Sequence, residues 1–263
     1  MNILKIKKLY IGMALLLISL NSSFVKAQIK SEVSINLKHY KLVWHDEFDG
    51  NKVDTTKWSY RSNGTHRGFA EVDGPKTISL DGKGHAIIQV IQQNKMYYVG
   101  QLSTHNHFNP VYGYFECRAK MNHSIGAHIA FWLQSPAISD TPINNTRRNG
   151  SEIDIFEYHR KSPDTIWQTV HINGYGASHK AESKQIKIAH IDSGFHTFGL
   201  LWTKDAYTFY VDGVITSTTS FGISNRPEYI ILSTELTGFG GDPTQGKYPD
   251  SVVYDYVRVY QAK

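Results

Sequence analysis

The sequence predicts an all-β fold, a sandwich or jelly roll, and three observations carry that reading. Short runs rich in Val, Ile, Tyr, Phe and Trp recur along the chain. Turn residues separate them, and no long segment has helical period. Many short strands with regular turns are the mark of a sandwich or jelly roll.

The strands are expected, in order, at Lys41–Phe48, His85–Ile91, Tyr114–Met121, Ile129–Gln134 and Glu152–His159. Further strands are expected at Trp167–Asn173, Thr197–Thr203, Tyr207–Val211, Tyr229–Leu236 and Val252–Tyr260. Asp212-Gly213 lies between two apolar runs and reads as a hairpin turn. The polar stretch from Ser135 to Gly150 reads as a surface loop.

The first 27 residues read as a cleavable export signal and not as fold. Lys5, Lys7 and Lys8 precede the apolar run Leu9–Leu20, and Val25-Lys26-Ala27 is a cleavage site before Gln28. The apolar run is shorter than the roughly 20 residues a bilayer span needs. Removing this segment leaves 24 basic residues against 23 acidic ones, a formal charge of +1 rather than +5. The basic pI therefore reflects the leader. Beyond Arg147-Arg148 there is no clustered basic patch of the kind nucleic-acid binding needs. The remaining length suits one large β domain, expected to be exported and monomeric. Cys117 is the single cysteine, so no internal disulfide forms. It alternates with Phe115, Ala119 and Met121 and is expected in the core.

Alternation assigns faces, because successive strand side chains point opposite ways. Ile129, Phe131, Leu133, Val170, Ile172, Ile230, Leu232 and Leu236 are expected to point inward. Trp132, Gln134, Trp167, His171, Asn173, Ser233 and Glu235 then share the outer face. A tryptophan beside hydrogen-bonding side chains suits a sugar, whose apolar face stacks on the ring while its hydroxyls pair with polar groups. Asn63 and Arg67, in a Gly-containing loop, are further candidates for reaching such a ligand, and Arg147 for meeting an anionic one. Trp44, Trp58 and Trp202 read as packing.

Ser151–Tyr158 is the most informative segment: three acids lie within six residues of an apolar strand. Glu152 and Asp154 share a face, and Glu157 has the wrong parity. One extra residue near Ile155-Phe156, a β-bulge, returns Glu157 to the face of the others. The two glutamates are then roughly 13 Å apart at Cα, at about 3.3 Å per residue. Side chains leaning together can bring the carboxyls to about 5 Å, the separation of a retaining glycosidase pair. Three close carboxylates cannot all ionise cheaply, so some of their pKa values are expected to rise, which would keep an acid protonated while a nucleophile stays charged. A calcium cluster or a solvated acidic edge are the other readings. The 13 histidines show no zinc spacing.

These residues resemble glycoside hydrolase family 16, whose signature Glu-x-Asp-x-x-Glu is met in full by residues 152–157. The resemblance extends to Trp44–Gly50 with Val53–Trp58, to Tyr112–Glu116, to Phe195–Phe198 with Trp202 and Tyr210–Gly213, and to Asp255–Tyr260. It implies a β-jelly-roll sandwich of two antiparallel sheets with a concave substrate cleft. The catalytic domain would span 41–263, after an N-terminal extension at 28–40. It implies endo-acting, retaining hydrolysis of a β-linked polysaccharide without a catalytic cofactor. Glu152 would be nucleophile, Glu157 acid/base, and Asp154 the residue that tunes them. A β-1,3- or mixed-linkage glucan is the first expected substrate. A β-galactan of agarose, porphyran or carrageenan type is the alternative, with transglycosylation or bare sugar binding behind. Some members carry a structural calcium, for which Asp255 is the candidate ligand here. One departure stands out. Glucan-cleaving members often have Trp-Pro just before the Phe-Trp of the central strand, and this chain has His128-Ile129.

Overall fold

The structure is a computed structural model and describes residues 35–140 and 144–263. The expected export signal and most of the 28–40 extension lie outside these residues. Among the described residues the chain forms a seven-stranded and an eleven-stranded sheet. The seven-stranded sheet runs Lys180–Lys187, Thr165–Ile172, Glu152–His159, Gly126–Gln134, Tyr229–Gly240, Gln101–Ser103 and Ser59–Tyr60 from edge to edge. All its pairings are antiparallel. In the larger sheet Asp250–Ala262 pairs with Gly113–Lys120, Ala86–Gln93 and Tyr40–Asp46. The antiparallel expectation fails at one place, where Ala70–Val72 runs parallel to Met96–Val99.

The inner faces of the two sheets meet in one apolar core. Ile129, Phe131 and Leu133 point into it, as do Ile153, Ile155 and Phe156, Val170, and Ile230 with Leu232. From the larger sheet come Phe115, Cys117, Ala119, Phe198, Leu200 and Val257. Phe156 and Phe198 join the two layers with ring centroids 4.2 Å apart. Leu236 is also buried, but in a smaller cluster with Val72 and Val99. Trp58 and Trp202 are buried, and Trp44, partly exposed, packs edge-on against Trp58.

The acidic strand is bulged where its parity demands. Phe131 pairs with Phe156 while the next residue, Trp132, pairs with Asp154. On the other side Thr169 pairs with Asp154 and Trp167 with Glu157. The extra residue turns both Ile155 and Phe156 into the core. That burial drives the bulge, because a regular strand would expose one of the two to water.

Several boundaries move. Leu37–His39 is a 3-10 helix, and Tyr40 already pairs with Ala262, so part of the expected extension belongs to the domain. The Ser135–Gly150 loop contains a helical turn, Thr146–Asn149, capped by Asn145. Asp212 and Gly213 both have positive φ and close the expected hairpin. Lys180–Lys187 is a strand with no apolar run. It lies at a sheet edge, where lysines and polar residues are favoured.

Candidate active site

A cleft of about 420 Å³ lies on the outer face of the seven-stranded sheet. Glu152, Asp154 and Glu157 line it together, as the bulge requires. Trp132, Trp167, His171, Glu235 and Arg67 line it too, so most of the expected site residues meet in one place.

Three expected residues lie elsewhere. Asn173 follows the end of its strand with φ at 68°. Its amide donates to Asn144 Oδ1 at 2.8 Å and to the Ser178 carbonyl at 3.2 Å, so its polar atoms tie two loops together. Asn63 accepts from the Gly74 backbone at 2.8 Å and is likewise a loop clasp. Arg147 lines a separate surface pocket with Lys204 and Asp205. Alternation is no guide to any of the three, because none sits in a regular strand. Asp255, the candidate calcium ligand, is ion-paired with Arg118 and faces His85 Nε2 at 3.9 Å.

The Glu152 carboxylate is held by neutral donors. Gln134 donates to Oε2 at 2.9 Å, and the Tyr175 hydroxyl donates to the same oxygen. His171 Nε2 lies 3.8 Å from Oε1. Burial raises the Glu152 pKa, while the His171 charge and the Tyr175 bond oppose that rise. Tyr175 comes from the Asn173-Gly174-Tyr175-Gly176 loop, and Gly174 needs its positive φ for the turn. Burial beside Glu152 pushes the Tyr175 hydroxyl far above its ordinary pKa, so it remains a donor.

Gln134 passes the contact on. Its carbonyl oxygen accepts from Tyr229 at 2.5 Å and from Arg61 at 3.2 Å. Arg61 also donates to Gln101 at 2.7 Å, and Gln101 donates to Glu235 at 2.9 Å. Arg67 closes the chain with a 2.8 Å bond to Glu235. Gly68 makes that closure possible. A Cβ there would collide with the Leu236 carbonyl, which instead accepts from Phe69 N at 2.8 Å.

Glu157 sits in different company. His128 Nε2 lies 3.0 Å from its Oε1, and the Thr169 hydroxyl donates to Oε2 at 3.3 Å. Burial pushes Glu157 up, but the His128 contact outweighs it and holds the carboxyl below its ordinary pKa. The same pairing raises His128 against its own burial. Asp154 is raised well above its ordinary value by burial and then by Glu157 and Glu152. Crowding thus raises Asp154 as expected, and it also raises Glu152, which as nucleophile was expected to stay charged. It fails on Glu157, because the motif does not reveal the histidine beside it.

Ligand atoms of Glu152, Asp154 and His171 lie within 4.8 Å of one another, a spacing a metal could use. His171 Nε2 is 3.2 Å from Asp154 Oδ2 and 3.8 Å from Glu152 Oε1.

Aromatic rings crowd the Glu157 end. Trp167 stacks on His159 with centroids 4.5 Å apart, and Phe239 stands edge-on to both. Phe239 is 40% exposed and forms the lip of the cleft. His128 was within reach of sequence reasoning, since it shares parity with Trp132 and Gln134 on one strand. Tyr175 and Phe239 carry no such signal, one being in a loop and the other at the end of a strand longer than its apolar run.

With this geometry in hand, the comparison with known proteins is decisive for the family. The model of glycosyl hydrolases family 16 matches residues 66–256. The chain belongs to glycosyl hydrolase family 16. It is 31% identical over 213 residues to an endo-1,3-1,4-beta-glycanase of Rhizobium meliloti, covering 79% of this chain and 43% of that protein. The chain thus spans less than half the length of that relative. A beta-glucanase of Rhodothermus marinus is 27% identical, over 99% of this chain and 98% of its own length. Among solved structures, a laminarinase from Flavobacterium sp. UMI-01 superposes with a TM-score of 0.73 at 25% identity, over 84% of this chain and all of the other. The chain is built on the same two-sheet scaffold as that laminarinase.

Proposed function

We propose that the protein is an exported, endo-acting, retaining glycoside hydrolase of β-1,3- or mixed-linkage β-1,3-1,4-glucan. The observation that carries this reading is the bulged strand, which brings Glu152, Asp154 and Glu157 onto one wall of one cleft. In this reading Glu152 attacks the anomeric carbon through Oε1, the oxygen that no hydrogen bond occupies. Glu157 protonates the departing oxygen and then takes a proton from water. Asp154, pushed toward its neutral form between them, limits the negative charge of the site, and His171 offsets the charge of Glu152. Trp132 and Trp167 are the platforms on which pyranose rings stack.

The glucan assignment draws on what the relatives are named for, endo-1,3-1,4-beta-glycanase and beta-glucanase. A β-galactan remains the second reading, favoured by His128 in place of a tryptophan and by Glu235 within the cleft. It loses the support of Arg147, which lies off the cleft. Export rests on the 1–27 pattern; among the described residues no helix is long and apolar enough to cross a membrane.

A reducing-sugar assay of the mature protein on laminarin, mixed-linkage glucan, agarose, porphyran and carrageenan tests the substrate. Release from the glucans supports the proposal; release only from a galactan moves it to the second reading. No release from any polymer, in a folded protein, overturns it.

A further inference from the structure

His128 and Glu157 meet inside the cleft, a close contact between a basic and an acidic side chain that the proposed chemistry leaves unused. The Nε2–Oε1 distance is 3.0 Å, and the side chains are only 11% and 17% exposed. Both ring nitrogens of His128 are buried, and among the described residues neither makes a well-directed hydrogen bond, so Nε2 meets Glu157 as a close charge contact. The ring is held in place by Phe239, edge-on at 5.0 Å, and by its position on the Gly126–Gln134 strand.

We propose that His128 and Glu157 hold one catalytic proton in common, with His128 a positioning residue that supplies and recovers it through Glu157. The inference rests on Glu157 being the acid/base. In the first step the C1–oxygen bond breaks, Glu152 bonds to C1, and the leaving oxygen takes the proton from Glu157. His128, protonated at the start, ends neutral. In the second step water gives a proton to Glu157 and its hydroxyl oxygen bonds to C1. Glu152 leaves as carboxylate, and the pair regains its proton.

The charges around the pair fit a shared proton. Asp154 faces it from the acidic strand, Glu235 with its partner Arg67 from the Tyr229–Gly240 strand, and His171 from the Thr165–Ile172 strand. His159, at the end of the acidic strand, is pressed down to about 4 by burial and by His128, and so stays neutral beside the pair. The acids retain the proton on His128 above the ordinary histidine value of 6.5.

The test is the pH profile of kcat/KM on the polysaccharide hydrolysed, for wild type, His128→Gln and Glu157→Ala. A pair keeps its proton to higher pH than Glu157 alone. His128→Gln should therefore move the alkaline limb down by about one pH unit or more, a shift typical of losing a close charge partner. At pH 8 that is roughly a tenfold loss or more, and activity near pH 5 should be much better preserved. An alkaline limb in the same place overturns the proposal. Wild-type activity in Glu157→Ala overturns the acid/base reading instead, so the two failures are distinct. If His128→Gln does not fold, the His128 ring is titrated by NMR in wild type and in Glu157→Gln. A drop in its pKa in the variant supports the pair, and an unchanged value sinks it.

Discussion

The two ends of the acidic strand solve opposite problems with the same residue type. Glu152 is surrounded by groups that donate without carrying charge, Gln134 and Tyr175, with a histidine at 3.8 Å. Glu157 has a histidine at 3.0 Å and one hydroxyl. Neutral donors hold an oxygen in place and leave its partner free to attack. A titratable neighbour makes the carboxyl exchange protons. The difference teaches that the chemistry of each acid is written by its neighbours across the sheet, because the strand itself treats the two glutamates alike.

The sharpest way to break the comparison is to remove each end. Glu152→Ala should abolish turnover on every substrate, by at least about 10³-fold, while thermal unfolding stays near wild type. A hydrolysing Glu152→Ala protein would refute the nucleophile role. Glu157→Ala should lose polysaccharide hydrolysis by about 10²- to 10⁴-fold. Its first step should recover on aryl glycosides whose leaving groups need no acid, seen as a burst of released phenol. Equal loss on both substrate types would show that Glu157 is not the acid. Tyr175→Phe keeps the ring and removes the donor to Glu152. A fall in kcat of roughly tenfold with little change in KM is expected, matching a lost hydrogen bond to a charged group of about 1.5 kcal/mol or more. A change confined to KM would make Tyr175 a sugar contact only.

The smallest effect concerns stability. Glu228 is wholly buried, accepts from Ser151 N at 2.9 Å, and is raised by burial to about 8 from 4.5. Between those values the unfolded chain has released a proton that the folded chain keeps. The unfolded state binds fewer protons, so this contribution to stability falls as pH rises from 4.5 to 8. Glu228→Gln should flatten that part of the melting-temperature profile and leave the protein more stable than wild type near pH 8. An unchanged slope would show that Glu228 does not carry it.

Where the fold is built by alternation, the sequence foretold it. The inward set Ile129, Phe131, Leu133 and the outward set Trp132, Gln134 need only the two-residue period of a strand. The bulge followed from the wrong parity of Glu157 and two adjacent apolar residues. What escaped reading obeys other physics. Lys180–Lys187 is a strand because Thr165–Ile172 offers it a full ladder of backbone partners, with little apolar burial of its own. Asn173 and Asn63 looked like sugar ligands but satisfy loop backbones, a role set by turns that alternation cannot see. Tyr175 reaches Glu152 through loop geometry alone. The pairing of His128 with Glu157 depends on strand register across the bulge, so the low pKa of Glu157 was hidden in a sequence that names both residues.

The most direct test of the central claim, that Glu152 and Glu157 act as a retaining pair, is the anomeric configuration of the first product. Wild-type protein and its polymer are mixed in an NMR tube, and the anomeric protons are followed before mutarotation. The β-anomer should appear first and the α-anomer only later. Initial release of the α-anomer would mean a single inverting displacement and would contradict a covalent intermediate on Glu152.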